Sequence, residues 1–433
     1  MENFYPGYQN MLSEIQSIKK PSFLAGKDVV IPRYDGYSLA NIPASVCRWL
    51  GVQPPVAPCL SDHITHVLQD NYQHVLLLVV DGLRLDLFNQ FITRVLQDEY
   101  LPTWKTILEE GTYTPLTSVC PSTTAAALTT LWTGAFPSQH GMIGYELFLK
   151  EFGCIANMIT QSVTAFTRET VSLKQAGFQP RSFLPVPTLG GFFKENTIAP
   201  SAFQHFSIAK SGLSDMLLND VERYSFRTVS DLWYSVSDLF ENHGSQKTFT
   251  YVYWGELDSQ SHRAGPNHDK PTQEWNIFAQ VLSHFLMKQY YQQRKDTLFI
   301  LTADHGQVAT NIDARFSLKN HPDFIRHLIM LPSGESRLPY LFIQPGKEQQ
   351  VANYLTSHWN GSFQIVAASD FTASGLLGTD SVHQKTLDRI GTHVAIPDGN
   401  QYWWWANKDN ILKGRHGGLS PEEMLVPFFA VTI

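Results

Sequence analysis

Cysteine is scarce in this chain. There are four in 433 residues, Cys47, Cys59, Cys120 and Cys154, and no two stand in a CxxC pair. A disulfide scaffold and a thiolate zinc site are therefore excluded, and a reducing compartment is expected. Charge is thin as well: Asp, Glu, Lys and Arg make up 16% of the residues, with a net charge of -7 and no long basic run. No nucleic-acid groove is expected from such a balance. The longest apolar runs, such as Val75 to Val80, are far too short to span a bilayer. The start, MENFYPGYQNMLSEIQSIKK, has no basic region leading into an apolar core. Together these point to a soluble, cytoplasmic protein whose chemistry rests on carboxylate, imidazole and hydroxyl groups.

With 43% hydrophobic residues, the chain is long enough for a large α/β core carrying an insertion. Short, wholly apolar runs recur at 74 to 80 (HVLLLVV), 248 to 254 (TFTYVYW) and 297 to 303 (TLFILTA). Helical periodicity separates them, which predicts a largely parallel central sheet with helices on both faces. Helices are expected at 85 to 97, 104 to 110, 231 to 241 and 273 to 293. Residues 1 to 70 read as an N-terminal extension packing on the core, with helices near 9 to 19 and 42 to 50. Residues 71 to 309 and 401 to 433 form the core, which resumes with LVPFFAVTI at 425 to 433. Residues 310 to 400 read as a smaller α+β insertion, with strands at 328 to 331 and 340 to 344 and a helix near 347 to 357. Within 145 to 245, the Pro/Gly-rich FLPVPTLGGFF at 183 to 193 suggests a lid over the sheet ends. No internal repeat stands out.

Each apolar run ends in a carboxylate: Asp81 and Asp304 at once, Asp258 after a short turn. Ligands of open α/β sheets collect outside the carboxyl ends of strands, so three segments deliver acids to one place. Histidines accompany them. Asp258 and His262 are four apart and share one face of a helical turn, Asp304 is followed by His305-Gly306, and Arg415-His416-Gly417-Gly418 lies in a Gly-rich loop. Singly, such clusters are turns; together, Asp-His pairs with added carboxylates are the donor set of a hydrolytic zinc site. A fifth stretch, CPSTTAAALTTLWTG at 120 to 134, reads as a turn that becomes a helix with Thr123 or Thr124 at its start. A hydroxyl there is either a cap or, beside metal ligands, a nucleophile facing an anion held by the helix N-terminus.

In order along 74 to 433, the segments VVDGLR (79 to 84), PSTTAAALTTLWTG (121 to 134), ELDSQSHRAGP (256 to 266), TADHG (302 to 306) and RHGG (415 to 418) resemble the alkaline phosphatase superfamily. The pattern is most similar to its type I phosphodiesterase/nucleotide pyrophosphatase branch. The resemblance implies two Zn2+ ions, other divalent metals being possible. Asp81, Asp304 and His305 would hold one beside the Thr124 oxygen; Asp258, His262 and His416 would hold the other. It selects Thr124 over Thr123 as the nucleophile, which would form a phosphothreonine that water hydrolyses. Where the branch carries an Asn that contacts a phosphoryl oxygen, this chain has Tyr145, so the substrate class stays open. Arg84 and Arg263 are placed either as phosphate contacts or as structural ion pairs. Trp403, Trp404 and Trp405 are read as packing in a strand before a nucleobase stack.

The expected function is a zinc-dependent phosphodiesterase or nucleotide pyrophosphatase acting on a small phosphorylated substrate, such as a nucleotide. Alternatives are a phosphonate hydrolase or phosphomonoesterase on the same metals, and an inactive binding scaffold. A sulfatase is excluded by the residues around Cys120, and a mutase is disfavoured because those resembling this pattern usually carry Ser as nucleophile.

Overall fold

The computed structural model describes residues 1 to 433 except 1 to 4, 6, 55 to 57, 98 to 99, 164 to 171, 243 to 245 and 292 to 294. Among the described residues are two seven-stranded sheets. The central one runs, in order, Thr112–Thr117, Leu425–Thr432, Thr297–Thr302, His74–Val80, Thr248–Trp254, Ala199–His205 and Glu222–Phe226. The last five pair in parallel, and only Leu425–Thr432 runs antiparallel to both its neighbours. His74–Val80 and Thr248–Trp254 are buried at every position. A strand covered on both faces has no solvent side to mark with polar residues, which is why these segments are unbroken apolar runs.

The helices Leu85–Leu96, Pro102–Glu110, Val229–Asn242 and Asp269–Tyr291 cover the sheet. Residues 292 and 293 of the expected 273 to 293 helix lie outside the described residues. Residues of the first seventy join the main core: Tyr8, Ile15, Leu39, Ile42 and Val46 are all buried in it, and Ser38 bridges Thr117 at the sheet edge.

Two segments differ from the sequence reading. LIML at 328 to 331 is not a strand, because Ile329 and Leu331 are exposed and only Leu328 makes a bridge, to Ile343. The 183 to 193 stretch is no cover for the strand ends. It includes the helix Leu189–Glu195 and lines a surface cavity with Thr133, at the far end of the helix Thr124–Thr133. The strands Ala199–His205 and Glu222–Phe226, which follow it, belong to the central sheet.

The second sheet joins strands from both sides of the core. Glu146–Leu149, Cys154–Asn157 and Ser162–Val163 pair onward to Ser333–Glu335, Leu338–Leu341, His393–Pro397 and Phe363–Ala367. Its own small core holds Phe324, Trp359, Phe363 and Trp403.

Candidate metal centre and nucleophile

Register brings the three acids together before any side chain is considered. Val80 pairs with Trp254 and Val79 with Thr302, so the three adjacent strands end level. Asp81 follows directly, Asp304 stands two residues past Thr302, and Asp258 lies in the first turn of the helix Glu256–Ala264. The same helix presents His262, whose Nε2 is 3.3 Å from Asp258 Oδ2. His416 comes from the loop before the last strand, with Nε2 3.9 Å from Asp258 Oδ1. Its ring stacks on His305 at 3.8 Å between centroids.

His305 sits at the junction. Its Nε2 lies 3.1 Å from Thr124 Oγ1, 3.4 Å from Asp81 Oδ1 and 3.5 Å from Asp304 Oδ2. Thr124 opens the helix Thr124–Thr133. Thr123 precedes it in extended conformation and makes no side-chain cap. The hydroxyl facing the histidine is thus that of Thr124, and neither threonine is spent on capping.

Each histidine turns Nδ1 to a backbone carbonyl: His305 to Gly306 at 2.9 Å, His262 to Gly414 at 2.8 Å and His416 to Ser122 at 3.2 Å. A carbonyl only accepts, so each Nδ1 carries a proton, and in the neutral ring Nε2 is the nitrogen with a lone pair. That is the form in which imidazole binds a metal. At His262 the facing Asp258 carboxylate raises the pKa against burial.

The carboxylates are costly as they stand. Burial, then repulsion from Asp258 and Asp304, pushes the Asp81 pKa well above the carboxylate range. Burial raises that of Asp304 too, against the pull of His305. Asp258 is also buried, but its contact with His262 outweighs burial and holds it below its usual range. Burial and the adjacent His305 keep His416 neutral. Asp81 Oδ1 and Asp304 Oδ2 have no hydrogen-bond partner. Clustered, unpartnered carboxylate oxygens facing lone-pair nitrogens fit divalent cations.

Two groups have donor atoms within 4.8 Å of one another: Asp81, Asp304 and His305, and Asp258, His305 and His416. His305 falls in both. His262, expected in the second group, stands outside it while paired with Asp258. Carboxylate and imidazole without thiolate suit zinc and other borderline divalent ions.

Of the other residues singled out, Arg84 is engaged. It pairs with Asp86, with Nε 2.7 Å from Oδ1, and donates to Asn267, so it answers to the ion-pair reading. Arg263 is exposed one residue after His262. Tyr145 lines a cavity of about 330 Å³ with His262, His416, Glu335, Trp404 and Trp405. All three tryptophans line that cavity, and Trp403, fully buried, also packs in the second core.

Sequence reasoning missed the groups that hold these parts in place. Ser122 Oγ donates to the Gly418 carbonyl at 2.7 Å, tying the nucleophile's turn to the His416 loop. Gln307 Nε2 donates to the Asp258 carboxylate and, at 3.2 Å, to its carbonyl. Gln307 directly follows the Asp-His-Gly segment and could have been flagged by that neighbourhood. Glu335, at the end of a three-residue strand, carries no such signal. The glycines beside the histidines proved to serve protein contacts: a Cβ on Gly306 would fall 2.0 Å from the Glu422 carbonyl oxygen.

The fold is shared with several solved structures. Murine ectonucleotide pyrophosphatase / phosphodiesterase 5 aligns at TM-score 0.62 and 18% identity, covering 82% of this chain and 87% of its own. An inactive threonine-to-alanine variant of that protein, in complex with AMP, aligns at 0.61 with the same identity and coverage. Phosphonoacetate hydrolase from Sinorhizobium meliloti 1021, in complex with phosphonoformate, aligns at 0.57 and 16% identity, over 82% of this chain and 89% of its own. No curated protein sequence matches significantly. The family model for type I phosphodiesterase / nucleotide pyrophosphatase matches residues 75 to 418, a span that holds all three acids, all three histidines and Thr124. The chain therefore belongs to the type I phosphodiesterase / nucleotide pyrophosphatase family.

Proposed function

We propose that this protein is a zinc-dependent phosphodiesterase that uses Thr124 as its nucleophile. The observation that carries the reading is the Thr124 hydroxyl at a helix N-terminus, 3.1 Å from His305 Nε2 and beside two carboxylate-histidine groups. Asp81, Asp304 and His305 would hold one metal; Asp258 and His416 would hold the other, with His262 completing the set. When bound, the metals supply Lewis acidity at the phosphoryl group and neutralise its charge. Thr124 Oγ1 forms a bond to phosphorus as the bond to the leaving oxygen breaks in line. The helix start favours the anionic phosphoryl group. Water then opens the phosphothreonine and restores the hydroxyl. The leaving group occupies the cavity beside His262 and His416, whose walls include Tyr145, Trp404 and Trp405.

Support comes from the murine relative, where a threonine-to-alanine variant is described as inactive and as binding AMP. A nucleotide-like diester is therefore the first substrate to try. The phosphonoacetate hydrolase neighbour supports phosphonate hydrolysis as a second reading. Four free cysteines are in keeping with a cytoplasmic place for this chemistry, and no described helix is long and apolar enough to cross a membrane.

A panel of bis-aryl phosphodiester, aryl monoester and phosphonoacetate, with zinc present, tests the proposal. Preferred turnover of the diester is expected. Preferred release of phosphate from phosphonoacetate selects the second reading, and no turnover of any member by zinc-loaded protein refutes both.

A further inference from the structure

The second sheet reaches the metal centre through one carboxyl group. Glu335 closes the strand Ser333–Glu335 and is buried, at 7% exposure. Its Oε1 accepts the Tyr145 amide at 2.6 Å, and the Thr123 side chain stands close enough to the same carboxyl to favour its charged form. On the third side, Gly417 packs so closely that a Cβ there would lie 2.6 Å from Glu335 Cβ. Gly417 has φ +109, a backbone that other residues rarely adopt.

Those contacts fall on the residue before Thr124, the tyrosine at the substrate cavity and the residue after His416. They come from three chain segments that are remote in sequence. The same hairpin repeats the device two residues on. Arg337 grips Glu423 with two hydrogen bonds of 2.9 and 2.6 Å, and Glu423 accepts the Gly418 and Ser420 amides at 2.9 and 3.2 Å.

We propose that Glu335 is a positioning residue, which fixes the Thr124 hydroxyl, the Tyr145 wall of the cavity and the His416 loop in one geometry. This rests on the reading of Thr124 as nucleophile. Stability alone does not account for the carboxyl. The groups that favour its charged form, the Tyr145 amide and the Thr123 side chain, are both neutral, and burial pushes its pKa up to about 8, so keeping it costs folding free energy. A group retained at a stability cost beside a reaction centre fits a functional constraint. The expected benefit is large, because a nucleophile misplaced by about 1 Å loses on the order of 10²-fold in rate.

The test compares full-length, zinc-loaded Glu335→Ala, Glu335→Gln and Thr123→Val with the parent protein. Bound metal, kcat, KM and the Kd for orthovanadate are measured. Glu335→Ala should keep its metal and a KM within about 3-fold, while kcat falls about 10²-fold. Glu335→Gln, which retains a carbonyl acceptor for the Tyr145 amide, should recover most of that loss. Thr123→Val should lose about 10-fold, and combining it with Glu335→Ala should add little, since both break one contact. Should Glu335→Ala fail to fold, Thr123→Val still carries the test. Unchanged kcat and vanadate affinity in a folded, metal-loaded Glu335→Ala or Thr123→Val overturns the proposal, as does a loss that Glu335→Gln fails to recover. If the parent protein turns over no substrate, the phosphodiesterase reading falls by itself, and the vanadate affinities still decide the role of Glu335.

Discussion

The strands His74–Val80, Thr248–Trp254 and Thr297–Thr302 are buried along their whole length, whereas in the second sheet Glu146–Leu149, Cys154–Asn157 and Phe363–Ala367 mix buried and half-buried positions around a buried hairpin. The first set carries acids at its ends, where parallel strands leave a crevice. The second delivers Tyr145, Glu335 and Arg337 from short strands and a tight hairpin. On the proposed reading, the ends of one sheet supply the carboxylates that would bind metal. The other supplies groups that hold them in register and line the substrate cavity. The proposal thus divides chemistry and positioning between two cores, and substitutions in each should fail in different ways.

The largest effect is expected at the nucleophile. Thr124→Ala should lower kcat by about 10⁴-fold or more while bound metal, measured by atomic emission, stays at the parent level. Thermal stability should hardly change, because Thr124 stands at the first helical position and its hydroxyl bonds to His305 rather than capping the helix. One step outward, Gln307→Ala removes the donor to Asp258 and should weaken metal affinity 10- to 100-fold, as chelator titration would read. Beside the second sheet, Trp405→Ala should spare metal binding and kcat and raise KM several-fold, since it removes cavity wall and none of the metal-binding groups.

The smallest effect is a pH dependence of the metal-free chain. Glu335 stays protonated in the fold up to about pH 8, while the unfolded chain releases that proton near 4.5. Between those values the native state binds the extra proton, so stability falls as pH rises. Raised pKa values at Asp81 and Asp304 act in the same sense. Buried His416 and His140, whose pKa values are depressed, act in the opposite sense up to about 6.5, so the readout is a difference: in melting curves of chelator-treated protein between about pH 5 and 8, the parent should lose stability relative to Glu335→Gln as pH rises.

How much of this was legible in the residues follows the same division. Unbroken apolar runs leading into Asp81, Asp258 and Asp304 marked the central sheet and its crevice, because burial on both faces leaves a plain signature. Thr124 and the histidines followed from motifs at those ends. The second sheet was invisible as a unit: Glu146–Leu149 pairs with Ser333–Glu335, almost two hundred residues away in sequence, through a single register pair, and strands of three or four residues have too little periodicity to read. The 183 to 193 segment misled, since Pro and Gly mark a turn without saying which end of the sheet it covers. His305, shared between both donor groups, is a fact of three dimensions that ligand spacing does not contain.

The central claim is covalent catalysis by Thr124, and an acid quench during turnover of the bis-aryl diester by zinc-loaded protein, followed by peptide mass spectrometry, tests it most directly. The account predicts a phosphoryl adduct on Thr124 that is absent from Thr124→Ala. Full turnover by Thr124→Ala, with no adduct trapped on the parent protein, would contradict it.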